Sequence, residues 1–128
     1  MKPIYHLTND VDLAAARATG SITAASLASE GFVHCSQAHQ VLRVVEAVFP
    51  TVTELVLLCI DGDQLGDSLK FEAPSDSHAP TIERFPHVYA PIPTASVVGV
   101  GRMRRDTQGQ MLWPAVWERF SLWRVGRA

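Results

Sequence analysis

Three short stretches gather the side chains best suited to chemistry. His6 and Thr8 close an opening run of β-forming residues. His34, Cys35 and Ser36 close a second such run. His87 and Tyr89 form a third group, within reach in sequence of Glu72 and Glu83. In the first two, polar groups stand where a strand hands over to a helix. Backbone N–H groups and helix N-termini make such junctions good hosts for anionic ligands. Each group also has a plainer reading. A histidine at a strand end is commonly a hydrogen-bonded structural residue, and Ser36 is a good helix N-cap without any further duty. Cys35 has His34 beside it, but neighbouring strand residues point to opposite faces, which argues against a nucleophile and base pair. A metal site built from His34, Cys35, His39 and His87 matches no recognised ligand spacing, so no metal is expected.

The elements that must position these groups follow from pattern. Pro3 to Leu7 reads as a strand with proline only at its entry. Thr8, Asn9 and Asp10 offer N-caps for a helix running to Thr19, with Gly20 as its stop. Residues 22–30 read as an irregular turn with a short helix around Leu27, and Gly31 to Cys35 as a second strand. Ser36 is expected to cap the next helix, in which Val41, Val44, Val45 and Val48 recur on one face until Phe49-Pro50 ends it. Glu54 to Ile60, a continuous apolar run, belongs in a sheet centre. Asp61-Gly62-Asp63 is turn chemistry, and Ser68 to Ala73 returns as a strand. Residues 74–81 read as a loop and Ile82 to Arg84 as a short strand. Phe85 to Pro93 carries too many prolines for a central strand and is expected at an edge. Val97 to Met103 is the last strand. Trp113, Trp117 and Phe120, at i, i+4 and i+7, predict a terminal amphipathic helix that closes over an open sheet face.

Composition bounds the rest. The 128 residues, 47% of them apolar, suit one domain with a core that needs no metal or disulfide staple. No apolar run approaches the roughly 20 residues of a membrane helix, so no membrane partner is expected. Met1-Lys2-Pro3 leads straight into structured sequence, so no signal peptide is expected, and two distant cysteines suit reduced thiols in the cytoplasm. Net charge is −2, but it is uneven: the acidic residues dominate before Gly101, whereas Arg102, Arg104, Arg105, Arg119, Arg124 and Arg127 make the end basic. Arginine suits phosphate forks. A tail that docks on the acidic body and cancels its charge is the simpler account, and nucleic acid is only weakly supported as a partner. The oligomeric state is not set by the sequence.

Several blocks in fixed order carry a family resemblance: Ile4-Tyr5-His6-Leu7-Thr8, a helix ending at Gly20, Gly31-Phe32-Val33-His34-Cys35-Ser36, Leu55 to Ile60, Leu69 to Glu72, and Phe85-Pro86-His87-Val88-Tyr89-Ala90-Pro91-Ile92. Together they resemble the domain of unknown function 952 family, from near the first residue to about Met103. That family in turn is similar to the ADP-ribosyltransferase superfamily, including the RNA 2′-phosphotransferases. The resemblance implies an α+β fold with a mixed, mainly antiparallel, curved or split sheet and two main helices, to which the residue pattern adds the C-terminal helix. It divides the chain into residues 1–103, the ADP-ribosyltransferase-like domain, and 104–128, an extension packing on it.

The same resemblance implies a nucleotide as ligand and NAD as a substrate, with transfer of an ADP-ribosyl or related 2′-phosphate group. His34 would be catalytic; the superfamily's catalytic glutamate has no matching position here, and Glu72 and Glu83 are candidates for it by position alone. His6, Thr8, Ser36, His87 and Tyr89 would line the ligand site. No Gly-rich phosphate loop appears, so nucleotide binding would be of another type. Two rivals remain: a non-catalytic module that binds a nucleotide or RNA end, and an interaction protein that uses the tryptophan stripe.

Overall fold

The computed structural model describes residues 1–74 and 83–123. The loop expected at 74–81 and Ile82 of the short strand fall almost wholly outside the described residues, as do Arg124 and Arg127. Glu83 and Arg84 are described and are not in a strand.

β1 (Pro3–Thr8), β4 (Glu54–Asp61), β8 (Val97–Arg104) and β9 (Trp117–Glu118) form the main sheet in the order β1-β4-β8-β9. A second sheet, ordered β3-β6-β5, joins β3 (Val33–His34), β6 (Phe85–Val88) and β5 (Leu69–Glu72). β2 (Ser21–Ile22) pairs with β7 (Ile92–Pro93). The α+β class and the split, antiparallel sheet match expectation, except that every described strand pair is antiparallel, so the sheets are not mixed.

β4 lies between β1 and β8 as its apolar run requires. Alternation sends Val56, Leu58 and Ile60 to one core and Leu55 and Leu57 to another, so both faces are covered. The first core also takes Leu13 and Ala16 from α1 (Asp10–Thr19). The Asn9 side chain accepts from the Asp12 N–H at the start of that helix. Gly20, at φ +82°, stops it by donating to the Ala16 carbonyl at 2.8 Å. α2 (Ala25–Ser29) is the short helix expected around Leu27. α3 (Val41–Val48) buries Val41 and Val45 in the second core.

Three further expectations are corrected. Ser36 does not cap the helix leading to α3. It exchanges two 2.8 Å backbone hydrogen bonds with Tyr5, which tie the end of β3 to the main sheet. The entry turn is capped one residue later, where Gln40 Oε1 accepts from the Gln37 N–H at 2.9 Å. Second, the proline-bearing β6 is central in its sheet, not an edge. It is tolerated because the Pro86 carbonyl accepts from the Cys35 N–H at 3.0 Å, which puts the missing donor on the β3 side, past that strand's last paired residue, His34.

Third, residues 111–123 form no α-helix. Met111 bridges Arg105, β9 follows, and a 3-10 turn spans Phe120–Leu122. The cause lies in β8. A Cβ on Gly101 would stand 2.5 Å from Pro114 Cβ, and one on Gly99 3.2 Å from the Trp117 ring. The two glycines therefore leave a trough that the extended segment fills. Trp113 meets Tyr5 edge to face and Trp117 lies tilted against it, at ring separations of 5.3 and 6.2 Å, and both remain partly exposed. Trp123 is buried in the first core. Arg17 donates to the Phe120 and Trp123 carbonyls and holds the segment against α1.

Three of the four described arginines of the basic end pair with carboxylates of the acidic body. Arg102 pairs with Asp10 and Glu54, Arg104 with Glu54, and Arg105 with Glu46. Among the described residues no helix is long and apolar enough to cross a membrane.

Candidate functional site

The backbone bridge between Tyr5 and Ser36 brings the ends of β1 and β3 side by side. His6 Nδ1 then lies 2.8 Å from the His34 carbonyl. A carbonyl only accepts, so Nδ1 carries the proton and Nε2 of the neutral ring carries the lone pair. His6 is 7% exposed. Burial pushes its pKa below the ordinary 6.5, outweighing the hydrogen bond to His34. His34 and His87 are directly paired across β3 and β6, and their rings are 5.5 Å apart.

These strands open a cavity of about 570 Å³, within the range of small-molecule sites. Its polar wall includes His6, His34, Ser36, His87 and Glu83. Its apolar wall comes from Leu7 and from the end of α3 with Val44, Ala47, Val48 and Phe49. Five of the eight residues expected at the site are therefore brought together. Thr8 is not among the lining residues; it is buried opposite Val56. Glu72 and Tyr89 are also outside the lining, but both attach to His87. Glu72 Oε1 accepts from His87 Nδ1 at 3.0 Å and from the Tyr89 hydroxyl at 2.6 Å. The Tyr89 bond, then that from His87, holds the Glu72 pKa below the usual carboxylate range, and Glu72 in turn raises that of Tyr89.

Glu83 lines the cavity and is held differently. Arg43 grips both its oxygens, and Gln40 Nε2 lies 3.2 Å from one of them. Arg43 is the main reason its pKa lies below the ordinary value. His34 Nε2 donates to Glu30 at 2.8 Å on the surface. Cys35 is buried, and desolvation pushes its thiol up to about 12, so it is not a thiolate near neutral pH. Among the described residues no three His, Cys, Asp or Glu side chains lie together as a metal would require.

Gln40, Arg43 and Phe32 were not singled out from sequence. The spacing Gln37-x-x-Gln40, which resembles a capping box, was the available signal for Gln40. Phe32 lies one residue from a strand histidine and stacks on His87 at 4.1 Å, a pairing visible only once β3 and β6 are in register.

The lowered pKa of His6 gives a stability prediction. Unfolded, the ring titrates near 6.5; folded, it takes a proton only at lower pH. Stability is thus full above about 6.5 and falls as pH drops below it, until the folded-state value is passed. His6→Asn, whose amide can still donate to the His34 carbonyl, is expected to flatten the fall in urea midpoint between pH 7.5 and 5. An unchanged slope would show that His6 is not its source.

The chain is thus a mixed α+β protein with split antiparallel sheets and a histidine-lined cleft between them. The chain belongs to the family described as "Protein of unknown function (DUF952)", whose model matches residues 7–100. The match covers every site residue except His6, which lies just before it. The crystal structure of protein CC0527 from Caulobacter crescentus is 29% identical and superposes with a TM-score of 0.74, over 86% of this chain and 93% of that one. The solution structure of CC0527 gives 30% identity and a TM-score of 0.71, over 86% and 91%. No curated protein matches.

Proposed function

We propose that the cavity binds NAD or a related ADP-ribosyl or 2′-phosphate nucleotide and transfers its ribosyl-bearing group, on a fold of the ADP-ribosyltransferase-like kind. The observation that carries this reading is the His6–His34 bond, which joins the two histidine-bearing strand ends over one cavity. The order of elements supports it: a first strand ending His6-x-Thr8, a helix stopped by Gly20, and a second strand end His34-x-Ser36.

Breaking the bond between ribose C1′ and nicotinamide builds positive charge on the sugar, which a nearby carboxylate stabilises. Of the two candidates Glu83 is assigned this role, because it lines the cavity and Glu72 does not. The apolar wall of Val44, Val48 and Phe49 suits the face of a base, and the histidines suit ribose hydroxyls and phosphates. The free thiols of Cys35 and Cys59 fit a reducing compartment, the cytoplasm.

Nicotinamide release from NAD by the purified protein tests the reading. Glu83→Gln is expected to lower it by at least about a hundredfold. A second reading, binding of a nucleotide or RNA end without turnover, is favoured by the hold of Arg43 and Gln40 on both Glu83 oxygens. Saturable binding with no release from the wild type would select it.

A further inference from the structure

Transfer of a ribosyl group needs an acceptor, and activation of that acceptor needs a base. His87 is held as one. Its side chain is 3% exposed, yet it lines the cavity. Nδ1 is fixed 3.0 Å from Glu72 Oε1, and the Phe32 ring stacks on the imidazole at 4.1 Å and 17°. A carboxylate only accepts, so Nδ1 carries a proton, and Nε2 is the ring nitrogen left to take one up. Nε2 makes no hydrogen bond with any described residue. The Tyr89 hydroxyl on the same Glu72 oxygen keeps that carboxylate ionised and in place.

We propose that His87 is the general base for a hydroxyl acceptor in the cavity, a sugar alcohol group or water, and that Glu72 is its positioning residue. The inference rests on the ribosyl-transfer reading above. In the step, the acceptor oxygen forms a bond to ribose C1′ while its proton passes to His87 Nε2. The C1′–N bond breaks, and its electron pair leaves on nicotinamide, which becomes neutral. The imidazolium faces the Glu72 carboxylate, which stabilises its charge without taking the proton. Around His87 the other ionisable groups are Lys70, its register partner on β5, His34 on β3, Tyr89 beyond its own strand, and His6 and Glu83 across the same cavity.

The test is nicotinamide release from NAD with water as acceptor, measured from pH 5 to 9 on the full chain, together with calorimetry of ADP-ribose. His87→Gln is expected to lower release by about a hundredfold or more while ADP-ribose still binds. Glu72→Gln removes the charge that stabilises the imidazolium, so a reduced rate is expected with its acidic limb moved to lower pH. A merely structural Glu72 would not move that limb. Should His87→Gln fail to fold, Glu72→Gln decides alone, and an unmoved limb would overturn the proposal.

Undiminished release from His87→Gln, with Glu83→Gln inactive, would refute the base and leave the transfer reading standing. ADP-ribose binding without release from the wild type would overturn the base and leave only a binding site. Absence of both would overturn the inference together with the reading beneath it.

Discussion

Replacing His34 with alanine is expected to weaken ADP-ribose binding roughly tenfold to hundredfold, the worth of one hydrogen bond to a charged group. The melting temperature should move by no more than about 4 °C. The two halves of this expectation come from different atoms of one residue. The side chain is 47% exposed and its partner Glu30 is 38% exposed. Such a pair is screened by solvent, and its loss strands nothing buried. The backbone carbonyl, which alanine keeps, is what accepts from His6, so the neighbouring histidine stays in place. A histidine buried for stability would behave in the opposite way, with a large loss of stability and binding intact. Calorimetry and thermal melting of the same sample separate the two.

The second large effect concerns the scaffold. Arg105→Met is expected to cost about 3–5 kcal/mol, from three hydrogen bonds made by a charged donor, read as a lower denaturant midpoint with an unchanged slope. The guanidinium donates to three backbone carbonyls: Val52 at 2.7 Å, Phe49 at 2.8 Å and Gly109 at 2.9 Å. Phe49 ends α3 and lines the cavity, so the clamp holds the apolar wall of the site to the end of β8. The ion pair with the exposed Glu46 adds little by comparison. Arg105→Lys should recover only a minor part, because an ammonium cannot reproduce a fork of donors aimed at several carbonyls. A loss below about 1 kcal/mol for Arg105→Met would mean that water replaces the clamp.

Much of this frame is legible in the residues. Leu55 to Ile60 reads as a central strand because nothing polar interrupts it, and α1 is bracketed by Asn9 and Gly20. The misses have local physical causes. The spacing of Trp113, Trp117 and Phe120 fits a helix, but those rings are placed by the trough over Gly99 and Gly101, a tertiary feature that periodicity does not see. Pro86 looked unfit for a sheet centre because its missing donor counts only on one side, and pairing determines which side that is. At the site, His6 and His34 are visible from their strand-end positions, and His87 from its place beside Tyr89 and the two glutamates. The division of labour between Glu72 and Glu83 is not, because it depends on Arg43 and Gln40 reaching one and His87 and Tyr89 reaching the other. Arg102, Arg104 and Arg105 suggested phosphate binding by type, yet each is already paired with a carboxylate of the body.

Calorimetric titration of the wild-type protein with NAD, ADP-ribose and a 2′-phosphorylated dinucleotide asks whether the histidine-lined cavity is a nucleotide site. Saturable binding of at least one, at one ligand per chain, is the predicted result, and the preferred ligand selects the transfer chemistry. No heat of binding from any of the three, on a protein shown to be folded, would contradict a nucleotide site.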